Sequence, residues 1–409
     1  MPRSEPNGLK VFNVWHIGAW NRNVGDWALA YQMHRLLNQQ ARSRQATLKF
    51  HMVDSQRTYF YPELVDQMNE EADLVLIGGG GLIFLRPEDQ SVSGWSFNIQ
   101  PGDLARIKPP IVVHGIGYNR FAHDPQPFPS QTGPHLRQLQ SQAALFSVRN
   151  HGTHGKLVNL FGLDPLHLDV VPDAGIALAD RPIRIPARRP GAPIVAINWA
   201  GDRPGQRFAP PAEENARRFW ETMKEALRRV VEVHDAQVMF LPHLMNIDTD
   251  AYADFAASFP AGSVFSTHLE LPYLYPPPGE SIYAHIPFFT NLFRQASVVL
   301  GMRLHTCILA FGAGTPFIPL GSHPKVHYFA DDVGATKYRI PMADVAHENA
   351  DAMYGAITAC LDDSVYRESL KLSLSEQLQR LRQFHERILD VLAAGPMPAT
   401  EVALHPEAE

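Results

Sequence analysis

The chain has 409 residues, of which 45% are hydrophobic and 19% charged, a composition typical of a globular protein long enough for two domains. Its net charge of −6 excludes a general nucleic-acid-binding protein, because such proteins carry a strongly basic surface. The two cysteines, Cys307 and Cys360, exclude a disulfide framework and favour a reducing compartment such as the cytoplasm. No stretch approaches the roughly 18 apolar residues of a membrane span, and residues 1–10 lack a signal-peptide pattern.

The N-terminal half opens with a strand that leads into a helix. Apolar residues at 11–16 predict a buried strand, and the turn-rich loop that follows contains Asn23. Asp26 then stands at the predicted start of a helix, where a carboxylate is favoured. This strand, loop and helix resemble a nucleotide-binding opening, although the pattern G-x-G-x-x-G is absent. The alternative is that Asp26 only caps the helix.

A run of glycines follows the strand predicted at 73–77. Without side chains, Gly78, Gly79 and Gly80 would let a ligand approach the backbone closely. Their position at the carboxyl end of a strand favours this interpretation. Flexibility or close packing is the alternative.

The later strands of this half are also followed by candidate functional residues. The strand predicted at 111–114 leads to Gly117, and the strand predicted at 145–148 leads to Arg149. Asp173 follows the last strand of the half. Since parallel strands end at one edge of a sheet, we expect these three residues to lie near the glycine run.

The chain divides at a segment rich in proline and arginine. Residues 181–193 lack helical or strand periodicity and are predicted to link two domains. We therefore assign residues 1–180 to an N-terminal Rossmann-like domain and residues 194–363 to a C-terminal Rossmann-like domain. Residues 364–409 are predicted to form a long amphipathic helix that crosses back over both domains, with a loose tail from residue 396.

The most informative stretch of the second domain runs from 296 to 329. Its strand–helix–strand pattern places Arg303 and His305 after a strand, before a helix predicted to begin at Thr306, and places Lys325 after the next strand. Cationic groups beside a helix N-terminus suit an anion such as a phosphate or carboxylate. The alternatives are surface charges, or for His305 a hydrogen-bonded core histidine.

Seven motifs in this order resemble the polysaccharide pyruvyltransferase family. They are G-x4-N-x-G-D at 18–26, D-L-V-L-I-G-G-G at 73–80, G-I-G at 115–117, S-V-R at 147–149, V-P-D-A at 171–174, G-M-R-L-H at 301–305, and the downstream Lys325. The resemblance covers residues 11–335. The sequence departs from the family pattern at two places: Trp27 stands where the family often has an acidic residue, and residues 273–278 look like an insertion. Both departures bear more on which acceptor saccharide is used than on which compound donates the transferred group.

The resemblance implies an α/β fold similar to that of GT-B glycosyltransferases, with two Rossmann-like domains that face a cleft. It implies a transferase that moves the enolpyruvyl group of phosphoenolpyruvate onto saccharide hydroxyls, forms a pyruvate ketal and releases phosphate. Such a product would belong to a cell-surface or extracellular polysaccharide. The matching positions imply Arg303, Lys325 and Arg149 as donor-binding residues and His305 as the catalytic acid or base.

The remaining candidates are expected on the acceptor side or in the cleft. They are Asn23, Asp26, Gly78, Gly79, Gly80, Gly117, Asp173 and His243. No metal or other cofactor is expected, since protein cations can neutralise the donor phosphate. An acceptor linked to a lipid or a nucleotide would fit the resemblance, and a lipid-linked acceptor would bring the enzyme into peripheral contact with a membrane.

Two other functions compete with this interpretation. A GT-B glycosyltransferase would use the same cationic loop to hold the diphosphate of a nucleotide sugar. A carbohydrate-binding protein without catalysis would retain the fold alone, although the combination of Arg303, His305 and Lys325 disfavours it.

Overall fold

The computed structural model describes residues 3–4, 8–20, 23–85, 90–124, 127–179, 181–341 and 349–395. Within them, the chain forms two α/β halves, each built around one largely parallel sheet. The predicted loose tail from residue 396 lies outside the described residues.

The first half contains a sheet with seven described strands. The strands are β1 (Arg3–Ser4), β2 (Lys10–Gly18), β3 (Ala46–Asp54), β4 (Leu74–Gly78), β5 (Ile111–Ile116), β6 (Ala143–Val148) and β7 (Asp169–Val170). The α-helices are α1 (Val24–Ser43), α2 (Pro62–Glu71), α3 (Pro101–Leu104), α4 (Thr132–Gln142) and α5 (His151–Phe161), and 3₁₀ turns lie at Pro165–His167 and Ala174–Ile176. The parallel strands follow the order β3-β2-β4-β5-β6-β7, and β1 pairs antiparallel with β2.

The second half contains a sheet with six described strands, all parallel. The strands are β8 (Ile194–Asn198), β9 (Gln237–Phe240), β10 (Val264–Ser266), β11 (Val298–Gly301), β12 (Phe317–Gly321) and β13 (Ile340–Pro341). The α-helices are α6 (Pro204–Arg207), α7 (Ala212–His234), α8 (Ile247–Ala257), α9 (Thr267–Glu270), α10 (Ile282–Leu292), α11 (Leu304–Gly312), α12 (Pro324–Asp332), α13 (Ala350–Asp362) and α14 (Ser364–Ala394), and a 3₁₀ turn lies at Phe293–Gln295. The order is β10-β9-β8-β11-β12-β13.

The central strands are short apolar runs because helices cover both faces of each sheet. Every residue of β4, β8 and β11 is buried, as expected for parallel strands in an α/β fold. In the first sheet the chain order reverses between β2 and β4, and in the second between β8 and β11. Such a reversal opens a crevice at the carboxyl ends of the two strands, so each half contributes one crevice to a shared cleft.

The last long helix, α14, packs on both halves. Near its start, the Tyr366 hydroxyl donates to the carbonyl of Phe317 in the second sheet at 2.9 Å. Near its end, the Nε2 atoms of His385 and His114, a residue of the first sheet, are 2.8 Å apart. The helix therefore crosses back from the second half to the first, as the sequence predicts.

The predicted linker, residues 181–193, runs between the two sheets and is attached to the second half. The Arg181 N–H donates to the side chain of Asn291 at 3.2 Å, and the Arg189 guanidinium pairs with Asp235 at 2.8 Å. Movement of the two halves about this segment stays a prediction.

Candidate active site

A cavity of about 330 Å³ lies between the two sheets, beyond the carboxyl ends of their central strands. Both halves contribute to its walls, as expected for two facing crevices. Six residues that the sequence singles out line it: Asn23, Asp26, Arg149, Arg303, His305 and Lys325.

The N-terminus of helix α1 carries Asp26 to the cavity. Asn23 caps this helix, since its side-chain oxygen accepts a hydrogen bond from the Gly25 N–H at 3.0 Å. The backbone N–H after Asn23 donates to the His243 carbonyl of the second half at 3.0 Å. Gly25 lets the helix lie against the second half, because a Cβ there would be 2.5 Å from the Cβ of His305. Contacts between the halves therefore fix the position of Asp26.

His305 lies between two carboxylates, in a group that we call the His305 cluster (Asp26, Arg149, Asp173 and His305). Its Nδ1 is 3.7 Å from Oδ1 of Asp26, and its Nε2 is 3.7 Å from Oδ2 of Asp173. The same Asp173 oxygen is 3.6 Å from Nη1 of Arg149, and both of these side chains are 2% exposed. At these distances the side chains lie close together but do not form hydrogen bonds.

Three buried polar atoms of the His305 cluster lack a hydrogen-bond partner among the described residues. They are Nε2 of His305, Oδ2 of Asp173 and Nε of Arg149. A buried polar atom without a partner costs free energy, so such atoms in a native protein need an explanation. Because the cluster borders the cavity, the simplest explanation is that a substrate group or water completes these contacts.

The electrostatics of the cluster keep Asp173 ionised. Burial favours its neutral form, but His305, Arg149 and the Gly175 N–H outweigh burial and hold the pKa of Asp173 below its usual value. For Arg149, burial lowers the pKa although Asp173 and Asp26 act in the opposite direction. The cavity thus has a buried carboxylate behind its histidine and the guanidinium of Arg149 at its wall.

The helix that carries His305 begins earlier than predicted. Helix α11 starts at Leu304 rather than Thr306, and Arg303 is its extended N-cap residue, with φ −89° and ψ 140°. His305 consequently lies within the first turn, where backbone N–H groups lack intrahelical partners. A first turn of this kind suits a bound anion, and an anion at this place stays a prediction.

The glycine run does not line the cavity in the predicted way. A Cβ on Gly78 would lie 2.1 Å from the His114 carbonyl oxygen, and one on Gly79 would lie 2.3 Å from the Leu29 side chain. These two glycines therefore allow close packing of the strand end, and their approach to a ligand stays a prediction.

The neighbouring glycines lie closer to the cavity. A Cβ on Gly80 would be 3.3 Å from Asp26 Oδ1, so Gly80 lies beside this carboxylate rather than at the cavity wall. Only the fourth glycine of the run, Gly81, lines the cavity. Gly117 does not line it either: a Cβ there would be 2.2 Å from Nε of Arg149, so this glycine makes room for the arginine.

Arg303 is already paired with carboxylates, in what we call the Arg303 network (Asp202, Arg207, Asp248 and Arg303). Its Nε and Nη2 donate to Asp248 at 3.0 and 2.5 Å, and Nη2 donates to Asp202 at 2.8 Å. Arg207 donates to the same Asp202 oxygen at 3.0 Å. Burial opposes the charged form of Arg303, but Asp248 and Asp202 outweigh burial and raise its pKa.

The network also fixes the loop that meets helix α1. Asp248 is fully buried, and its Oδ2 accepts the N–H groups of His243 and Leu244 at 2.9 and 3.0 Å. Leu244 pairs with Asn23 in an antiparallel bridge across the interface. Arg303 is thus connected to the start of α1, and its predicted role in donor binding stays a prediction.

His243 lies behind the cavity rather than in its wall. It is fully buried, and its Nε2 is 3.1 Å from the Thr306 hydroxyl. Burial, together with Arg303 and His305, holds the pKa of His243 well below its usual value. The prediction that His243 lines the cleft is therefore wrong, because its ring packs under the first turn of α11.

Lys325 extends to the opposite domain. Its Nζ donates to Oδ1 of Asn119, a residue of the first half, at 2.7 Å. Burial, reinforced by Arg149 and Arg207, holds the pKa of Lys325 well below its usual value. An incoming anion would favour the charged form of this lysine.

Sequence reasoning missed several residues of the cavity wall. Arg203 and Arg207 follow β8, and His323 follows β12. Arg203 and Arg207 lie over the ring of Phe121 at 5.7 and 5.0 Å, which adds cation–π contacts between the two halves. The segment 201–207, with its glycines and arginines at a strand end, was a signal that could have revealed these cations.

The side chains of the cavity wall favour an anion. The described residues include no group of three or more His, Cys, Asp or Glu side chains that could hold a metal ion. The cations at the wall instead offer guanidinium and ammonium groups, which suit phosphate and carboxylate oxygens.

Comparisons with solved structures identify the fold. A putative UDP-N-acetylglucosamine 2-epimerase from Listeria monocytogenes is similar, with a TM-score of 0.56, 13% identity, and coverage of 94% of this chain and 96% of the other. UDP-GlcNAc 2-epimerase from Neisseria meningitidis is similar with a TM-score of 0.54 and 11% identity, and the match covers 94% of this chain and 99% of the other. A glycosyltransferase from Rickettsia africae is similar with a TM-score of 0.53 and 10% identity, and the match covers 94% of this chain and 98% of the other. The predicted α/β fold, in which two Rossmann-like halves together resemble the GT-B fold, is thereby confirmed.

Sequence comparisons identify the family. A search of curated proteins gives no significant match. None of the described helices is both long and apolar enough to span a membrane. The family model for polysaccharide pyruvyl transferase matches residues 21–324, which include the cavity residues from Asn23 to His323. The match covers most of the chain, so this protein belongs to the polysaccharide pyruvyl transferase family and is a transferase.

Proposed function

We propose that this transferase moves the pyruvyl group of phosphoenolpyruvate onto two hydroxyls of a saccharide, forming a cyclic ketal and releasing phosphate. One observation carries the proposal: His305 lies between two carboxylates at the wall of a cavity that is otherwise rich in cations. A donor with a phosphate and a carboxylate needs the cations, and its reaction needs a group that moves protons.

The cations divide into two kinds. Lys325 and Arg149 line the cavity and carry no strong carboxylate hydrogen bond, so we propose that they bind the donor's phosphate and carboxylate. His323 would add a donor: its Nδ1 accepts the Lys325 N–H at 3.2 Å, which leaves the proton of a neutral ring on Nε2. We propose that Arg303 is mainly a positioning residue, because Asp202 and Asp248 already neutralise it.

The reaction that we propose is balanced by the acceptor's own protons. The methylene carbon of phosphoenolpyruvate takes one proton, and a saccharide hydroxyl adds to C2 and loses its proton. The C2–O bond to phosphate then breaks, and a second hydroxyl adds to C2 and loses its proton as the ring closes. The departing phosphate takes up the second acceptor proton, and the product is the acceptor plus pyruvate less one water.

His305 is the side chain proposed to move these protons. Histidine is the side chain that most often acts as a general acid or base, and Asp26 and Asp173 each face one ring nitrogen of His305. A carboxylate on either side stabilises the imidazolium that forms when the ring takes a proton from a hydroxyl. The cations would stabilise the charge that develops on the departing phosphate.

The product would belong to a cell-surface or extracellular polysaccharide, with the saccharide carried by a lipid or nucleotide during synthesis. Because phosphoenolpyruvate is an intracellular metabolite, we place the reaction in the cytoplasm. A GT-B glycosyltransferase activity with a nucleotide sugar is the competing function, and the fold alone is compatible with it.

The two functions release different products. We would incubate the protein with a panel of saccharides and either phosphoenolpyruvate or nucleotide sugars, and measure free phosphate, free nucleotide and acceptor mass. The proposal expects phosphate release and an acceptor heavier by pyruvate less water. Nucleotide release with glycosyl transfer, and no phosphate from phosphoenolpyruvate, would replace it.

A further inference from the structure

A second pocket, of about 470 Å³, lies between the two halves along the later turns of helix α1, and we call it the α1 pocket. The first half contributes Tyr31, Arg35 and Arg42 of α1 and Phe50 of β3. The second half contributes Tyr283 of α10. Among the described residues, none lines both this pocket and the active-site cavity, so the two are separate sites.

A chain of hydrogen bonds holds the wall that joins the two halves. The Tyr283 hydroxyl is 2.9 Å from Nδ1 of His34, and Nε2 of His34 is 2.6 Å from Nδ1 of His16. Nε2 of His16 is 2.8 Å from the Gly78 carbonyl oxygen. Burial lowers the pKa of His16 to about 4 and holds that of His34 well below its usual value, so both rings are neutral near neutral pH.

These contacts have one consistent direction. A carbonyl oxygen only accepts, so Nε2 of His16 donates to Gly78, and the bare Nδ1 of His16 accepts from His34. The bare Nδ1 of His34 in turn accepts from the Tyr283 hydroxyl. Because each buried group in this chain has its partner, the wall is preformed, and a ligand would bind without ordering it.

Arg35 brings a half-buried guanidinium to the pocket. Its Nε donates to the side-chain oxygen of Gln32 at 3.0 Å, and its Nη2 donates to the carbonyl of Ala177 at 2.5 Å, so both acceptors are neutral. Burial lowers the pKa of Arg35, Tyr31 acts in the opposite direction, and the like charge of Arg382 on α14 lowers it further. An anion in the pocket would stabilise the charge of this arginine.

Arg42 adds a second cation further along the same face of α1. Its side chain is exposed and forms no ion pair with a carboxylate of the described residues. Arg44, just beyond the helix, differs because it pairs with Glu386 and Asp390 of α14. Two guanidinium groups that face one pocket suit a phosphate or a carboxylate.

The pocket also offers aromatic surface. The ring centroids of Tyr31 and Tyr283 are 5.1 Å apart, and Phe50 lines the same pocket. Half-buried aromatic rings bind flat rings well, because such rings stack or meet edge to face. The pocket therefore combines a place for an anionic group with a place for a ring.

We propose that the α1 pocket binds a small organic anion that carries a flat ring, with its phosphate or carboxylate on Arg35 and Arg42 and its ring beside Tyr31 and Tyr283. Such a ligand would contact both halves and so hold them in one arrangement. The inference does not rest on the proposed function, since the two sites share no described residue.

The test separates the ring from the charge. Calorimetry would measure the binding of phenyl phosphate, benzoate, inorganic phosphate and phenol to the full chain. We expect phenyl phosphate or benzoate to bind at least about tenfold more tightly than both inorganic phosphate and phenol, because only the first two carry ring and charge together. Whichever of the two binds more tightly identifies the anionic group as a phosphate or a carboxylate.

Variants place this binding in the pocket. Arg42→Gln changes an exposed side chain, so the fold should persist while the affinity falls by about tenfold, the scale of one lost hydrogen bond to a charged group. Tyr31→Leu should reduce the preference for the ring-bearing anion over inorganic phosphate. Arg217→Gln, at an exposed position of α7, and Lys325→Met, in the active-site cavity, are the controls that should keep the affinity.

Three results would overturn the inference. The first is that neither ring-bearing anion binds better than inorganic phosphate and phenol. The second is that Arg42→Gln or Tyr31→Leu binds the probes as the wild type does. The third is that Lys325→Met lowers the affinity as much as Arg42→Gln, since the probe would then lie in the active-site cavity. None of these measurements uses turnover, so their failure and failure of the proposed transfer reaction are distinguishable.

Discussion

Two polar networks lie beside the same cavity, and they differ in how completely their hydrogen bonds are formed. In the Arg303 network, Asp248 is fully buried and accepts hydrogen bonds from the guanidinium and from two backbone N–H groups. In the His305 cluster, charged atoms approach only to 3.6–3.7 Å, and three buried polar atoms have no partner among the described residues.

This difference predicts different roles for Arg303 and His305, although both belong to one short motif. A buried network whose groups are all paired stabilises one arrangement, here the loop that meets helix α1. A cluster with unmet hydrogen bonds has groups ready for a substrate, at some cost in stability. Although Arg303 and His305 are separated by one residue, we expect changes in the first network to lower stability and changes in the second to lower turnover.

The largest effect is expected at His305. His305→Gln keeps much of the side chain's size but removes proton transfer, so turnover at saturating phosphoenolpyruvate should fall by about 10²–10⁴-fold. The melting temperature should stay close to that of the wild type. Phosphate release measures turnover, and His123→Gln, at an exposed position, is the control. If donor affinity is lost while saturated turnover is intact, His305 only binds the donor.

A change in the Arg303 network should lower the stability of the protein. Asp248→Asn removes a buried charge partner, so the free energy of unfolding should fall by about 3 kcal/mol, the lower end of the range for broken buried ion pairs, since Asp202 still pairs with Arg303. Urea denaturation measures this free energy of unfolding. Asp250→Asn, at an exposed position of the same helix, should change little. A stable Asp248→Asn variant with lost turnover would remove the distinction between the two networks.

A variant of Lys325 tests whether this lysine binds the donor. Lys325→Met removes a charged hydrogen-bond donor, so phosphoenolpyruvate affinity should fall by about 1.5–3 kcal/mol. Calorimetry measures the affinity, and Lys371→Met, a surface lysine whose side chain is 50% exposed, should leave it unchanged. Unchanged affinity in Lys325→Met would place the donor elsewhere.

The same lysine predicts a pH dependence. Burial together with Arg149 and Arg207 holds the pKa of Lys325 below its usual value, so above that pKa the free enzyme must take up a proton to bind an anion. Affinity for phosphoenolpyruvate should then fall as the pH rises, and Lys325→Met should lose this dependence. Equal pH profiles for the two proteins would show that Lys325 does not titrate on binding.

Much of the fold could be predicted from the sequence because buried parallel strands read as short apolar runs. The runs before Gly78, before Arg149 and before Arg303 all correspond to central strands. Strands β10 and β13, with three and two residues, are too short to give a pattern. Their pairing depends on the neighbouring strand rather than on their own residues.

The site could be predicted only where function and strand ends coincide. Asp26, Arg149 and His305 each follow a strand, so topology brings them together. The carboxylates that neutralise Arg303 are 55 and 101 residues away along the chain, and nothing local identifies them. Distinguishing a free cation from a paired one therefore required the structure.

The glycine run offers the smallest and most local test. Gly79 has φ +70°, and a Cβ there would meet Leu29, so Gly79→Ala should lower the free energy of unfolding by about 1–2 kcal/mol, the usual cost of a left-handed residue with a side chain. Donor affinity and turnover should stay near those of the wild type, since this residue does not line the cavity.

Gly81→Ala is the matched variant two residues later. Gly81 lines the cavity, and a Cβ there would lie 2.8 Å from the side chain of Asn119, whose oxygen accepts the Lys325 hydrogen bond. Moving Asn119 should raise the KM for phosphoenolpyruvate several-fold and change the melting temperature less than Gly79→Ala does. If instead Gly79→Ala lowers activity without loss of stability, Gly79 does approach the ligand. The assignment of Gly79 to packing and of Gly81 to binding is then wrong.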